Sequence, residues 1–302
     1  DLTPAPKEGF DYFPEGVYVQ VSTVTDMYAL LGERQVRVIL ELNSETKRDL
    51  LEFKKTLPFS KRQVYISLDP YCPQTIEEDL TETINTLIAE GFRYWIAGPY
   101  LYTFNRWAAS WLENQNIETF ITPIENSRKN LEATFEASLR KKVMITLFAY
   151  PALFRMRFQL PESYDFTYFR DKEGTEFKTL STEDGSFVMP EKPFSIIDNM
   201  QKMIKLGFSH FLLDFSRTQV DKSEFRYIMK VLFKGDVLPE TFRFNWKDGF
   251  YSPEKIEERR LAQERAAENQ SGGFRGKGKN PNKKGNYQGK SGHSKKSFTK
   301  KR

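Results

Sequence analysis

The chain has 302 residues, 39% of them apolar with 26 Phe and 14 Tyr, and its single Cys excludes an internal disulfide framework and any multi-thiolate metal or iron–sulfur site built from this chain alone. Its net charge of +5 is unevenly divided: residues 269–302 carry eleven basic residues and no acid, which leaves residues 1–268 at −6. No apolar run approaches the roughly 18 residues of a membrane span, and no charged-then-apolar leader precedes a small-residue cleavage site, so a cytoplasmic protein is expected.

The chain opens without Met at Asp1-Leu2-Thr3-Pro4, and the first strand is expected near residue 17, as in the C-terminal piece of a longer protein. Short β-branched and aromatic runs then alternate with helical periods. Val17–Ser22, Val36–Leu42, Gln63–Leu68, Tyr94–Ala97, Thr119–Ile124, Val143–Ala149 and His210–Phe215 read as strands. Several are nearly continuous in apolar residues, the mark of parallel strands covered on both faces. Between them, Ser44–Thr56, Thr75–Glu90, Leu101–Asn114, Ser127–Lys141, Ser195–Leu206 and Lys222–Phe233 read as helices, with Thr75 and Glu78 in capping-box positions and Gly91 and Gly207 as C-caps.

Repeated βα units make either a closed barrel or an open doubly wound sheet, and no Gly-x-Gly-x-x-Gly follows the first strand. The fold class expected is α/β, a (β/α) barrel-like body over residues 1–251, with an open sheet as the alternative. One region breaks the alternation. Residues 158–192, rich in Asp, Glu, Tyr and Thr with Asp184-Gly185 as a hairpin turn, read as a β-rich insertion. A charged helix is expected at 252–268, opened by Pro253, and a disordered basic tail at 269–302.

In a βα barrel, function gathers where strands end and loops begin. Those positions hold Asn43, Asp69 to Cys72, Gly98-Pro99-Tyr100, Glu125-Asn126, Tyr150-Pro151 with Arg155 and Arg157, and Asp214 to Arg217. Arg155 and Arg217 suit a bidentate clamp on phosphate or carboxylate oxygens; the alternative is that the carboxylates cap helices and the Arg residues are solvated. Hydrolytic templates find little support. Of two His, His293 lies in the tail and His210 at a strand start, where a structural role is expected, and Cys72 has no evident base.

The tail cations are Arg275, Lys277, Lys279, Lys283, Lys284, Lys290, Lys295, Lys296, Lys300, Lys301 and Arg302, interspersed with Gly, Asn and Ser. Such a segment follows an irregular phosphate backbone and releases counterions from it, and Phe274, Tyr287 and Phe298 are available to stack on unpaired bases. No apolar helical face accompanies the charge, which disfavours a membrane surface. RNA or the ribosome is the partner this implies, with a nonspecific solubility role for the tail as the alternative.

The stretch Thr122-Pro123-Ile124-Glu125-Asn126, a helix, and then Val143 to Leu153 with its Ala149-Tyr150-Pro151-Ala152-Leu153 turn resemble the peptidase U32 family. Members carry a Ser-Pro-Glu-Leu-Asn-like turn and then a strand of the type Val-x-Val-x-x-Tyr-Gly-x-x-Pro-Leu-Met. The downstream order is similar too, with a β-rich segment, Ser195-Ile196-Ile197-Asp198-Asn199 leading a helix, Gly207, and a strand ending Leu213-Asp214-Phe215-Ser216. The resemblance spans about Val17 to Tyr251. It implies a collagenase-like peptidase by family name, or RNA hydroxylation on ribosomal or transfer RNA at a Cys-held iron–sulfur cluster in several bacterial members. Where the family places Cys, this chain has Arg155-Met156-Arg157-Phe158. The resemblance thus implies a C-terminal, substrate-binding or non-catalytic region of a long member, with no cofactor in this chain and any cluster supplied by an N-terminal U32 domain of the same protein. Glu125, Asn126 and Asp214 carry over as ligand-contacting candidates, and Tyr150 and Pro151 as scaffold. Two further expectations are a U32-type peptidase and a barrel binding a small anionic ligand through Arg155, Arg217 and Asp214.

Overall fold

A computed structural model of the chain describes residues 13–30, 33, 37–53, 64–68, 82, 85–89, 91, 94–115, 117, 119–165, 167–170, 172 and 176–243. The chain divides into one unit of Asp1–Tyr251 and a second of Ser252–Arg302. Every described residue lies in the first. The helix expected at 252–268, the tail, and Asp69 to Cys72 fall outside the described residues.

Strands β1 (Gly16–Val21), β2 (Arg37–Leu42), β3 (Val64–Leu68), β4 (Tyr94–Ile96), β5 (Phe120–Ile121) and β6 (Val143–Ala149) come first along the chain. Four strands of a separate sheet follow: β7 (Phe154–Met156), β8 (Tyr168–Arg170), β9 (Glu176–Thr182) and β10 (Gly185–Pro190). Then come β11 (Phe194–Ser195) and β12 (His210–Asp214). Parallel pairings run β4-β3-β2-β1-β12-β6-β5, and a parallel bridge between Ala97 and Phe120 joins the two ends. The described strands thus form a nearly closed parallel barrel, joined at its narrowest seam by one bridge, with β11 lying antiparallel on the end of β6.

The helices are α1 (Val24–Leu30), α2 (Ser44–Phe53), α3 (Arg106–Asn114), α4 (Arg128–Thr134), α5 (Ala137–Arg140), α6 (Met200–Lys205) and α7 (Lys222–Lys234). Residues 85–89 are helical as well. α1 is absent from the sequence-based reading, because its seven residues leave too short a window for a helical period to register. Three expected helices are shorter or broken. Asn105 caps Ala108 N–H, so α3 starts at Arg106 rather than Leu101. Extended backbone at Phe135 and Glu136 splits the expected 127–141 helix into α4 and α5. The expected 195–206 helix opens instead on the end of β11 and a short 3-10 turn, Ile197–Asn199, before α6.

Side chains alternate across each strand, so one residue of every barrel strand faces inward at a given level. Tyr18, Ile39, Tyr65, Ile96, Ile121, Met144 and Leu212, one from each of the seven strands, form a single buried apolar cluster. That layer is the barrel's interior. The outward-facing Val19, Val21, Val38, Leu40, Val64, Ile66, Ile145, Leu147 and Leu213 belong to a second cluster with Met27, Leu30, Leu87, Leu112, Leu131, Phe225 and Leu232 from the helices. Strands covered on both faces explain the continuous apolar runs. Burying each such side chain stabilises the fold by about 1.5–3 kcal/mol.

His210 closes the opposite end of the barrel from the site described below. Its ring Nε2 lies 2.6 Å from the Phe13 carbonyl, which accepts only, so Nε2 donates and Ser209 Oγ faces Nδ1 at 3.2 Å. Tyr18 likewise donates its hydroxyl to the Pro14 carbonyl at 2.8 Å. Both groups tether the segment that enters β1.

The separate sheet is the expected β-rich insertion, and it begins at Phe154 rather than 158. Its order is β7-β10-β9-β8, all antiparallel. The hairpin pairs Thr182 with Gly185, so the turn residues are Glu183-Asp184, one position earlier than the expected Asp184-Gly185. Gly185, at φ 120°, is required there because a Cβ would run into the Met156 carbonyl. One face of this sheet is covered by residues 158–165: Ser186 donates to the Phe158 carbonyl, Ser181 to the Leu160 carbonyl, and the Ser181 N–H to Asp165. The other face turns to the barrel.

Candidate functional site

Two residues beyond the apolar interior layer, toward the strand C-termini, the inward positions become polar: Gln20 on β1, Glu41 on β2, Ser67 on β3, Thr146 on β6 and Asp214 on β12. All but Asp214 are buried. They are tied together. Ser67 donates to Gln20 Oε1 at 3.3 Å, and Gln20 Nε2 donates to Ser216 Oγ at 3.1 Å. Arg217 Nη1 donates to both oxygens of Glu41, at 3.0 and 2.8 Å.

Arg217 is placed by the turn after β12. Its backbone is left-handed, φ 61°, its N–H donates to Ser22 Oγ at 2.9 Å, and the preceding Phe215 N–H donates to the Gln20 carbonyl. Ser216 N–H donates to Asp214 Oδ1 at 2.8 Å. Desolvation raises the Asp214 pKa above the usual carboxylate range, opposed by Arg217 and the Ser216 hydrogen bonds. Tyr100, from the loop after β4, stands beside Arg217; burial raises its pKa, with Arg217 pulling it down and Asp214 and Glu41 pushing it up. Carboxylates, a guanidinium and a phenol therefore converge at the C-terminal mouth.

The insertion sheet lies against this mouth. Phe187 on β10 is flanked by two guanidiniums, Arg217 Cζ at 5.3 Å and Arg155 Cζ at 5.0 Å from its ring centroid. Arg155 also donates to the Asp184 carbonyl at 3.3 Å. At the hairpin tip Asp184 accepts from Ser44 N–H at 3.1 Å and Ser44 Oγ at 2.5 Å, and Glu183 pairs with Arg48 at 2.9 Å. An insertion that leaves the barrel after β6 is thus fastened to the start of α2, after β2.

Of the sequence candidates, Asp214 and Arg217 meet at the mouth and Arg155 reaches it through Phe187. Asn126 is buried in a ladder running down α4: it donates to Thr122 Oγ1 at 3.0 Å and accepts from Asn130 Nδ2 at 2.7 Å, and Asn130 donates on to the Phe104 carbonyl. That is a loop-fixing role. Glu125 beside it is exposed. The sequence-based reading passed over Gln20, Glu41 and Ser67. The signal was present, since a Glu inside Val38-Ile39-Leu40-Glu41-Leu42 falls on the inward phase of a strand.

Among the described residues no three His, Cys, Asp or Glu side chains gather as a metal site, and no helix is long and apolar enough to cross a membrane. Neither a family profile nor a curated protein matches the sequence. Among solved structures the chain is similar to the C-terminal domain of a protein named as a chitinase from Desulfitobacterium hafniense DCB-2, at 12% identity and a TM-score of 0.29, over 70% of this chain and 81% of that one.

Proposed function

We propose that this chain is the substrate-binding barrel of a U32-type RNA-modification protein, with its basic tail holding structured RNA. The observation that carries the reading is the polar layer of Glu41, Arg217 and Asp214 at the C-terminal mouth, beneath an insertion that follows the sixth barrel strand. That order of barrel strands and insertion is the one the U32 resemblance implies. The charge division supports it further: eleven cations and no acid in residues 269–302 attract phosphates.

An iron–sulfur cluster, which RNA hydroxylation in that family would call for, does not fit this chain's residues. One Cys supplies one thiolate, and Arg155-Met156-Arg157 stands where the family has Cys. The chain's part is to bind and orient, with the chemistry placed in another region of the protein.

The test is a salt titration of RNA binding by the full chain and by a chain lacking residues 269–302. The expected result is weaker binding and a shallower salt slope, by about 0.7–0.9 for each phosphate that the shortened chain no longer neutralises. Unchanged affinity and slope would remove the tail, and with it the RNA reading.

A further inference from the structure

Lys178 is a buried cation that faces an aromatic ring rather than an acid. It is 9% exposed, and its Nζ lies 3.8 Å from the centroid of the Tyr150 ring. Among the described residues no carboxylate stands within ion-pair distance of it. Its stem is packed while Nζ is not among the buried polar atoms left without a partner, so the ammonium reaches solvent with its donors available.

Register fixes where the side chain points. Lys178 on β9 lies opposite Met189 on β10 and opposite Tyr168 on β8. Arg155 on β7 lies opposite Phe187, two residues before Met189, and directly opposed residues share a face. Lys178, Arg155, Phe187 and Tyr168 thus share one face, the one turned to the barrel, because Phe187 meets Arg217. Tyr150 is the residue just past β6, so the ammonium stands at the C-terminal rim.

The electrostatics agree. Burial lowers the Lys178 pKa, while Glu224 on α7 and Glu191 after β10 pull it back up. Burial, then Glu224, Tyr168 and Glu191, push the Tyr150 phenol up to about 12, so it stays protonated and able to donate. Neither acid makes an ion pair with it, so its donors are left to a ligand.

We propose that Lys178 and Tyr150 form an anion subsite at the rim of the barrel mouth that takes a phosphoryl group, with Arg155 as the neighbouring cation on the same sheet face. The subsite stands on its own geometry and not on the RNA reading; its phosphoryl group is supplied either by a small phosphorylated molecule or by an RNA backbone. Sequence reasoning placed an anionic ligand at Arg155 and Arg217, but Arg217 is engaged by Glu41 and Lys178 offers the donors.

The experiment is amine labelling of the folded full chain, read by peptide mass spectrometry, with and without inorganic phosphate or a short oligoribonucleotide, and with Lys205 and Lys222 as internal references. Phosphate should slow labelling of Lys178 selectively. Protection by phosphate alone assigns the subsite to small phosphorylated molecules, and protection by both extends it to RNA; in either case it stands, whatever the tail deletion shows. The companion variant is Lys178→Met, which keeps an unbranched stem over Tyr150 and removes the charge. Phosphate should bind it about 10- to 100-fold more weakly, the loss of one charged hydrogen bond, with a melting temperature close to that of the parent. Equal phosphate affinity in parent and variant would overturn the proposal. Should the variant not fold, the labelling decides alone: no selective protection of Lys178 by either probe overturns it.

Discussion

Arg217 and Glu41 form a bidentate pair in which each side chain is only 6% exposed, at a level of the barrel where the layer below is wholly apolar. Breaking such a pair strips a buried guanidinium of two charged hydrogen bonds. Glu41→Ala should destabilise the body by about 3–5 kcal/mol, while the double variant Glu41→Leu/Arg217→Met should recover most of that loss. Urea denaturation of the two variants checks this. A single-variant cost below about 1 kcal/mol, the range of exposed pairs, would mean that the mouth is wetter than its packing implies.

Asp214 gives the mouth a pH dependence of defined sign. Desolvation raises its folded-state pKa above the unfolded value of about 4, so the native state binds this proton more tightly. The stability that this group contributes is full below about pH 4 and is lost as pH rises through the raised folded value. Asp214→Asn keeps an oxygen to accept the Ser216 N–H and removes the ionisation. The melting temperature of the variant relative to the parent should therefore climb between about pH 4 and pH 7. A flat difference across that range would show that Asp214 titrates as it does in the unfolded chain.

All seven barrel strands were legible because strands packed on both faces are nearly continuous in apolar residues, and β6 runs over the very residues expected, Val143–Ala149. What broke the helix readings was local and polar. The Asn105 cap and the extended Phe135-Glu136 step decide where a helix starts or stops without altering its apolar period. The site was half legible. Asp214 ends a strand and Arg217 follows it, so both stood out, whereas Glu41 and Gln20 are buried inside strands that read as core. Lys178 had no signal at all. Its meaning comes from Tyr150, 28 positions away in sequence, and only the register of the insertion sheet brings the two together.

Fastening of the insertion to the barrel rests on Asp184, which holds the N-terminus of α2 with a carboxylate, the charge that a helix start favours. Asp184→Ala should cost about 0.5–2 kcal/mol, the usual range for losing a side-chain cap. The effect should be local, with faster amide exchange across Glu176–Pro190 and little change in β1, β2 or β12. Gly185→Ala should be more severe, because the residue sits at φ 120° and the added Cβ meets the Met156 carbonyl rather than a flexible side chain. Hydrogen exchange by mass spectrometry separates these outcomes. Equal exchange in the insertion and in β12 for Asp184→Ala would show that insertion and barrel open as one cooperative unit.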